Sequence, residues 1–371
     1  MKNTLGDNVR LTLWGESHGQ CIGAVLDGVC PGIEVDEEFI KEQLNKRRPK
    51  GKNETQRVEE DNFIIASGVF NGYTTGEAIS IIIENNNVRS KDYDSMKNLA
   101  RPSHADYVAY EKFHGFNDYR GGGHFSGRIT AAIVAASAIL IKALEKKNIY
   151  IGTHIKKCAN VVDKDFELDC KEEIKKLNKK SYPVLNDIED EVTSAIDKVR
   201  LENDSIGGIL QSAIVGLPVG LGDPWFSSVE GKLSLGMFAI GGVKGVEFGL
   251  GFDFASKTGI NANDEFYVEN GNIKTKTNNN AGINGGITNG MPIVFNLAVK
   301  PTPSISLKQN TVDFVNKENK ELEIVGRHDP AIIRRMAVVV DSIAALVVCD
   351  LLVSKYGNDF LDFEEKIWNT D

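Results

Sequence analysis

GGGHFSGRITAAIVAASAILIKALEKK, residues 121–147, joins three consecutive glycines to a segment in which alanine, isoleucine, valine and leucine occupy nearly every face. A helix over 129–147 with such all-round apolarity belongs in the middle of a protein rather than on its surface. Residues 331–355 read the same way, as a second long apolar helix that begins just after Gly326-Arg327-His328-Asp329-Pro330. Each buried helix therefore starts from a loop that holds histidine and arginine. An internal duplication or shared packing needs would give the same look.

Outward from these helices the chain alternates short strands and loops. Residues 11–14 and 22–29 read as strands flanking Gly15-Glu16-Ser17-His18-Gly19, and Asp36 caps a helix running to Lys46. The polar stretch 47–61 reads as a mobile or ligand-closing loop. Strands follow at 63–70 and 78–83, separated by the turn pair Asn71-Gly72. Ser103 is placed to cap a helix over 104–113. The charged stretch 156–203 is peripheral, with an amphipathic helix over 188–201. Strands at 210–215 and 245–248, with a helix at 231–239 between them, restore the core pattern. Residues 261–290, rich in Asn and Gly, read as a long loop, functional or disordered. A strand at 292–299 then leads into the turn Lys300-Pro301-Thr302-Pro303-Ser304.

Composition narrows the function classes. With 371 residues, 41% hydrophobic and 26% charged, the chain reads as an ordinary globular protein with a large core. A net charge of −9 argues against a nucleic-acid partner, which is bound mainly through excess Lys and Arg. Arginine is nevertheless concentrated: between 129 and 326 only Arg200 occurs, and the other eleven lie before or after. An acidic chain can hold a locally basic pocket. Five cysteines, without a Cys-x-x-Cys pair, indicate neither a disulfide framework nor a cysteine metal site, and a reducing cytoplasm is expected. The first residues lack the apolar core of a signal peptide, and charges interrupt every apolar run before it reaches a membrane span, so neither export nor a membrane partner is expected.

Four of the six histidines sit in compact loops: His18, His104 in Arg101-Pro102-Ser103-His104-Ala105-Asp106-Tyr107, His124 after the three glycines, and His328. Histidine exchanges protons near neutral pH, and glycine lets backbone approach a ligand. Arginine in three of these loops has the fixed fork that matches phosphate or carboxylate, so the expected substrate is an anion. Gly15 to Gly19 matches the G-x-S-x-G nucleophile elbow, with Ser17 as the hydrolytic candidate, but the segment after it is strand-like where an elbow needs a helix. Gly122-x4-Gly127-Arg128 has P-loop spacing without the lysine and hydroxyl that a magnesium nucleotide requires. Its physics survives as a glycine loop opening into a helix, with Ser126 as cap or ligand, which is an anion or cofactor site. Asp329 is either a proton carrier or the counter-charge of a neighbouring arginine. His114 and His154 lack such surroundings and read as structural.

These motifs, in this order, resemble the chorismate synthase family over 12–352. The resemblance rests on the loops quoted above and on Arg47-Arg48-Pro49, Thr55-Gln56-Arg57, Asp118-Tyr119-Arg120, Asp204-Ser205-Ile206-Gly207-Gly208 and Val243-Lys244-Gly245-Val246-Glu247. It implies a lyase of aromatic amino acid biosynthesis that converts 5-enolpyruvylshikimate 3-phosphate into chorismate and phosphate. That reaction is an anti 1,4-elimination that requires reduced FMN without net redox change, with NADPH as a conceivable reductant. It implies an α/β (α+β) fold, a β-α-β sandwich with long central helices between two mainly antiparallel sheets, as a single domain over 1–371 and a homotetramer.

Carried over by position, His18 protonates and holds the reduced flavin and His104 is the acid toward the departing phosphate. Asp329 assists proton removal, together with Ser126. Arg48, Arg101, Arg128 and Arg327 meet the substrate anions, with Arg47 close by. FMN contacts His124, Phe125, Ser126, Gly241, Gly242, Gly285, Lys300, Pro301, Thr302, Pro303, Ser304 and Arg327. Where the family commonly has glycine the chain has Ser103, and Gly241-Gly242 and Pro303 also depart from its pattern. After Arg48-Pro49 many relatives carry a second arginine, whereas this chain reads Lys50-Gly51-Lys52-Asn53. Lysine replaces the charge but not the fork, which leaves open both a built-in flavin reductase activity and reliance on a separate flavin reductase. The competing reading from another class is a flavin or phosphate-ligand binding protein without chemistry.

Overall fold

The computed structural model describes residues 2–49, 61–86, 96–324 and 329–361. Two five-stranded sheets, antiparallel at every pairing, enclose a layer of helices. The first has the strand order Thr4–Leu5, Arg10–Gly15, Cys21–Asp27, Ile79–Glu84, Phe63–Ser67. The second has the order Val243–Phe248, Ile293–Val299, Gly208–Val215, Tyr150–Cys158, Val161–Val162. Between them the helices Thr130–Lys146 and Ile333–Tyr356 pack on each other, the former against the first sheet and the latter against the second. The expected β-α-β sandwich is the architecture found.

Alternating burial explains why the helix layer needs two sheets. Along Ile79–Glu84, the residues Ile79, Ile81 and Ile83 are fully enclosed, and on the second sheet Leu210 and Ile214 face the helices. Every residue from Ala131 to Ile141 of the first central helix is buried, so neither face is left for water. By length and apolarity both central helices could cross a membrane, yet their most apolar windows are 83% and 94% buried inside the protein. They are core helices.

One carboxylate ties the chain's beginning to this core. Asp350, 3% exposed on the second central helix, accepts from the backbone amides of Asp7, Asn8 and Val9 at 3.1, 2.6 and 3.2 Å, and Lys232 lies 3.1 Å from its other oxygen. The outer face of the second sheet is bound by a different polar row. His154, Gln211, Asn296 and Glu247 stand directly opposite one another across four strands and form a hydrogen-bonded chain. His154 is fully buried there beside Asp163, in agreement with a structural role.

Three sequence expectations are corrected. Ser103 does not cap a helix: that helix spans Asp106–Lys112 with Ala105 at its cap position, and Ser103 adopts the left-handed conformation at φ 60°. This is the backbone region for which glycine is favoured, so the departure at this position carries a conformational cost. The long loop over 261–290 is ordered, with the short helix Gly259–Ala262, the hairpin Phe266–Glu269 with Asn272–Thr275, and the pair Ile283–Asn284 with Ile287–Thr288. Asp264 accepts from the amides of Asn279 and Asn280 at 2.7 and 2.8 Å and supplies what the Asn-rich run lacks in apolar contact. The strand Tyr150–Cys158 runs into the stretch read as peripheral, and the hairpin Gln309–Asp313 with Glu318–Leu322 carries no pattern that predicts it.

Asp350→Ala is expected to cost roughly 3 kcal/mol, because three amides and a lysine lose a buried acceptor. Burial pushes the Asp350 carboxyl up, but the Asn8 amide and Lys232 outweigh it and hold the group below its usual range. A depressed folded pKa contributes stability above the ordinary carboxylate value of about 4, lost as pH falls toward the folded value. Urea melts of both proteins at pH 7 and pH 3 should therefore differ by more at pH 7, and equal differences would remove Asp350 from this role.

Candidate active site

The first histidine loop is the turn of a hairpin. Gly15 pairs with Ile22 at the end of two antiparallel strands, and Glu16 to Gln20 close the turn. No strand-to-helix elbow exists here, so Ser17, 0% exposed, lacks the context of a hydrolytic nucleophile. Asn85 holds the turn from the neighbouring strand, its amide group donating to Glu16 O and Gly19 O at 3.0 Å each.

The three glycines form the floor on which two imidazoles rest. Gly121, Gly122 and Gly123 all have positive φ, at 60°, 83° and 54°. A methyl group on Gly121 would fall 2.1 Å from His18 Cε1, and one on Gly123 would fall 2.0 Å from Asp118 O, so neither position admits a side chain. On Gly122 the same methyl would lie 3.4 Å from His104 Cε1 and 3.9 Å from Ser126 Cβ. His18 and His104, 86 residues apart in sequence, thus sit against adjacent glycines of one loop. Ser17 N donates to Gly123 O at 3.1 Å and His124 Nδ1 donates to Gly15 O at 2.9 Å, which fastens the glycine loop to the hairpin turn. His124 Nδ1 is engaged by that bond, while Phe125 is 48% exposed.

Three arginines converge on one buried carboxylate. Arg47 NH2 lies 2.9 Å from Asp61 Oδ2, Arg128 bonds Asp61 Oδ1, and Arg48 Nε approaches to 3.9 Å. Burial raises the Asp61 carboxyl, but Arg47 and Arg128 outweigh it and keep the group below its usual range. Arg128 also donates to Asn85 Oδ1 and Glu84 O at 3.0 Å each. Arg47 and Arg128 are almost wholly enclosed, and Arg48 is the more open of the three.

The starts of both central helices reach the same place. Ser126 accepts from Arg128 N as the chain enters the 130–146 helix. At the other helix Arg335 pairs with Asp329 and donates to Arg47 O at 2.7 Å, while Arg334 donates to Arg48 O at 2.6 Å. Two helix N-termini beside an arginine cluster favour negative charge. Lys147 over the Phe360 ring marks the shared opposite end.

His104 and the turn at 300–304 face one another. Lys300 Nζ donates to Ser103 O at 2.5 Å, and Lys300 N donates to Gly242 O at 2.9 Å, so Gly241-Gly242, Lys300 to Ser304 and the His104 loop form one neighbourhood. A methyl on Gly242 would touch Ile332 and Met336, which places the pair at the start of the second central helix. Gly285 is not brought in. Its neighbour in the turn, Gly286, lies against Ser228, and Gly220 of the same region lies by Lys355, at the far end of a helix about 36 Å long. Arg327 and His328, with Thr55-Gln56-Arg57 and the Lys50 to Asn53 stretch, lie outside the described residues. Asp61, Asn85 and Asp106 belong to the site although no sequence motif singled out a role for them. Among the described residues no cluster of His, Cys, Asp and Glu could hold a metal.

The comparisons with known proteins agree with one another. The family model described as chorismate synthase matches residues 9–353. The chorismate synthase of Pyrococcus abyssi is 44% identical over 350 residues, covering 94% of this chain and 97% of its own length. That of Agathobacter rectalis is 41% identical, covering 98% and 99%. A crystal structure of chorismate synthase superposes with a TM-score of 0.76 at 28% identity, covering 96% of this chain and 95% of that one.

Asp61→Asn is expected to destabilise the protein by about 3–5 kcal/mol, since it leaves buried guanidinium groups facing a neutral amide. Gly121→Ala should instead displace His18 at a backbone cost of about 1–2 kcal/mol. Thermal melts and turnover separate the two: Gly121→Ala should lose activity at least 100-fold while its melting point moves less than that of Asp61→Asn.

Proposed function

The chain belongs to the chorismate synthase family, and from that premise we propose how its residues divide the work of the reaction. The activity is elimination of phosphate from 5-enolpyruvylshikimate 3-phosphate to give chorismate, a carbon–oxygen lyase step in aromatic biosynthesis. The reading of a flavin or phosphate-ligand binder without chemistry is not favoured. The observation that carries the proposed division of labour is the seating of two imidazoles on one glycine loop beside an arginine cluster.

A substrate with one phosphate and two carboxylates suits that cluster. Arg48 and Arg101 bind its anionic groups, with Arg128 behind them and Arg47, held by Asp61, supporting Arg48. Arg327 is assigned to the same anions by its motif. His104 donates a proton to the oxygen of the departing phosphate, as a general acid at the helix start. Asp329, with Ser126, receives the proton taken from the substrate side, and Arg335 keeps that carboxylate oriented.

Reduced FMN is the cofactor in this reading, and when bound it would supply transient electron density for the elimination without net oxidation. What supports the fit is a pair of buried hydroxyls, Ser17 Oγ and Thr302 Oγ1, that have no hydrogen-bond partner among the described residues. They lie on the His18 turn and on the 300–304 turn, where a polar ring system and its side chain would meet them. His18 would hold the proton of the reduced ring. The backbone around His124, Phe125 and Ser126, with Gly241, Gly242 and Lys300 to Ser304, cradles the cofactor.

The proposed setting is a single-domain subunit of a cytoplasmic homotetramer, with FMN reduced either by NADPH on the enzyme or by a separate flavin reductase. Trp225 and Phe226 are 86% and 99% exposed, and Leu235 and Phe238 are exposed on the next helix, an apolar surface that suits a subunit contact. Gly285 lies beside it, so a cofactor role for Gly285 belongs to a neighbouring subunit's site.

Anaerobic incubation with enolpyruvylshikimate phosphate, FMN and dithionite should release phosphate and chorismate in equal amounts, and no release would end the proposal. His104→Ala should lower turnover at least 100-fold with FMN affinity retained. Replacing dithionite by NADPH distinguishes the two reductant routes: turnover with NADPH alone places the reductase activity in this chain.

A further inference from the structure

We propose that Asp106 is the positioning residue of His104, fixing its ring so that Nδ1 donates to the carboxylate and Nε2 faces the glycine loop. The proposal rests on the reading of His104 as the acid toward phosphate. Asp106 opens the helix after the His104 loop, and its Oδ1 lies 2.8 Å from His104 Nδ1. Arg101 grips the same carboxylate three times, through its backbone N at 3.0 Å, Nε at 2.8 Å and NH2 at 2.7 Å. A guanidinium only donates and an ionised carboxylate only accepts. Burial raises the Asp106 carboxyl, but hydrogen bonds from Arg101 and His104 draw it far below its ordinary value, so it stays ionised at working pH. The ring proton at Nδ1 therefore has its acceptor in Asp106, although Arg101 NH2 also lies 3.1 Å from that nitrogen.

With Nδ1 so engaged, the opposite edge of the ring turns to Gly122, where a methyl would lie 3.5 Å from Nε2. That edge is the one open to a substrate on the glycine floor. Arg101 then has two tasks in one turn: it holds Asp106 in place, and its charge stands beside the site where phosphate departs. A bland alternative is that Asp106 merely closes the turn, since it accepts the Arg101 amide. The two differ in what they predict for proton chemistry.

Asp106→Asn keeps the shape of the side chain and removes the obligate acceptor. In the full chain with reduced FMN, kcat should fall at least about 10-fold, as it does when the carboxylate that orients a catalytic histidine is replaced by its amide. KM for enolpyruvylshikimate phosphate should change less than threefold. His104→Ala and the double variant complete the test: if Asp106 acts through His104, the double variant is no slower than His104→Ala alone. Multiplying effects, or a rise in KM that matches the fall in kcat, would overturn the proposal. Near-normal turnover of His104→Ala would instead remove the acid reading itself. Should Asp106→Asn fail to fold, 15N-detected imidazole spectra of the unsubstituted protein, assigned by comparison with His104→Ala, decide the matter. A neutral His104 ring protonated at Nδ1 is expected; one protonated only at Nε2 overturns it.

Discussion

Two helices without a polar face must be covered on all sides, and that requirement organises everything else in this chain. A single sheet can enclose only one side of such a helix, so two sheets are recruited, and each strand gives its alternate residues to the helix layer. Water is excluded along the helices but not at their ends. There the orphan amides of the first turns, with the positive ends of both dipoles, emerge together at the rim of the core. The helix Glu37–Arg47 ends at the same rim, and Arg334 and Arg335 bind the carbonyls of Lys46, Arg47 and Arg48. The anion site is thus a consequence of where buried helices must begin.

Placing so many cations at one rim requires carboxylates that are not themselves ligands. Asp61 draws in Arg47 and Arg128, Asp106 pairs with Arg101, and Asp118 pairs with Arg120. Without substrate these pairs hold the guanidinium forks in a fixed arrangement, which lowers the ordering cost when an anion arrives. Burial sorts them by task. An enclosed pair such as Arg47 with Asp61 sets geometry, whereas the more open Arg48 remains available for contact.

This division explains what was legible in the sequence. Residues 129–147 and 331–355 announce buried helices because their apolarity has no polar phase, and His18, His104 and Arg128 stand out because glycine or proline surrounds them. Asp61 carries no such mark: its partners lie 14 and 67 residues away, and only the fold makes it a hub. The strand Tyr150–Cys158 escaped because its outer face carries Tyr150, His154 and Lys156, which look like surface until the segment 163–177 covers part of them. Ser103 fails as a cap for a related reason. Serine before a helical pattern is a capping signal, but here the chain turns through a left-handed residue first, and Ala105 takes the cap position. The cap signal is local; the turn is closed by His104 N donating to Arg101 O at 3.0 Å, and Lys300 meets Ser103 O from a distant part of the chain.

Left-handed backbone recurs along the chain, and it also shapes the place where those loops meet. Gly121, Gly122 and Gly123 adopt it in sequence, and Ser103 and Asp61 adopt it despite their side chains, at φ 60° and 47°. Each non-glycine residue of this kind costs roughly 1–3 kcal/mol and persists only where its surroundings over-determine it. The surroundings do so here, since Ser103 O is held by Lys300 and the Asp61 carboxylate by two arginines. In return the left-handed turns let two distant imidazoles approach one loop more closely than any chain with Cβ atoms at Gly121 could allow. Stability gained by burying the helices is spent at their ends, and the geometry obtained there is a pair of histidines fixed beside a field of positive charge.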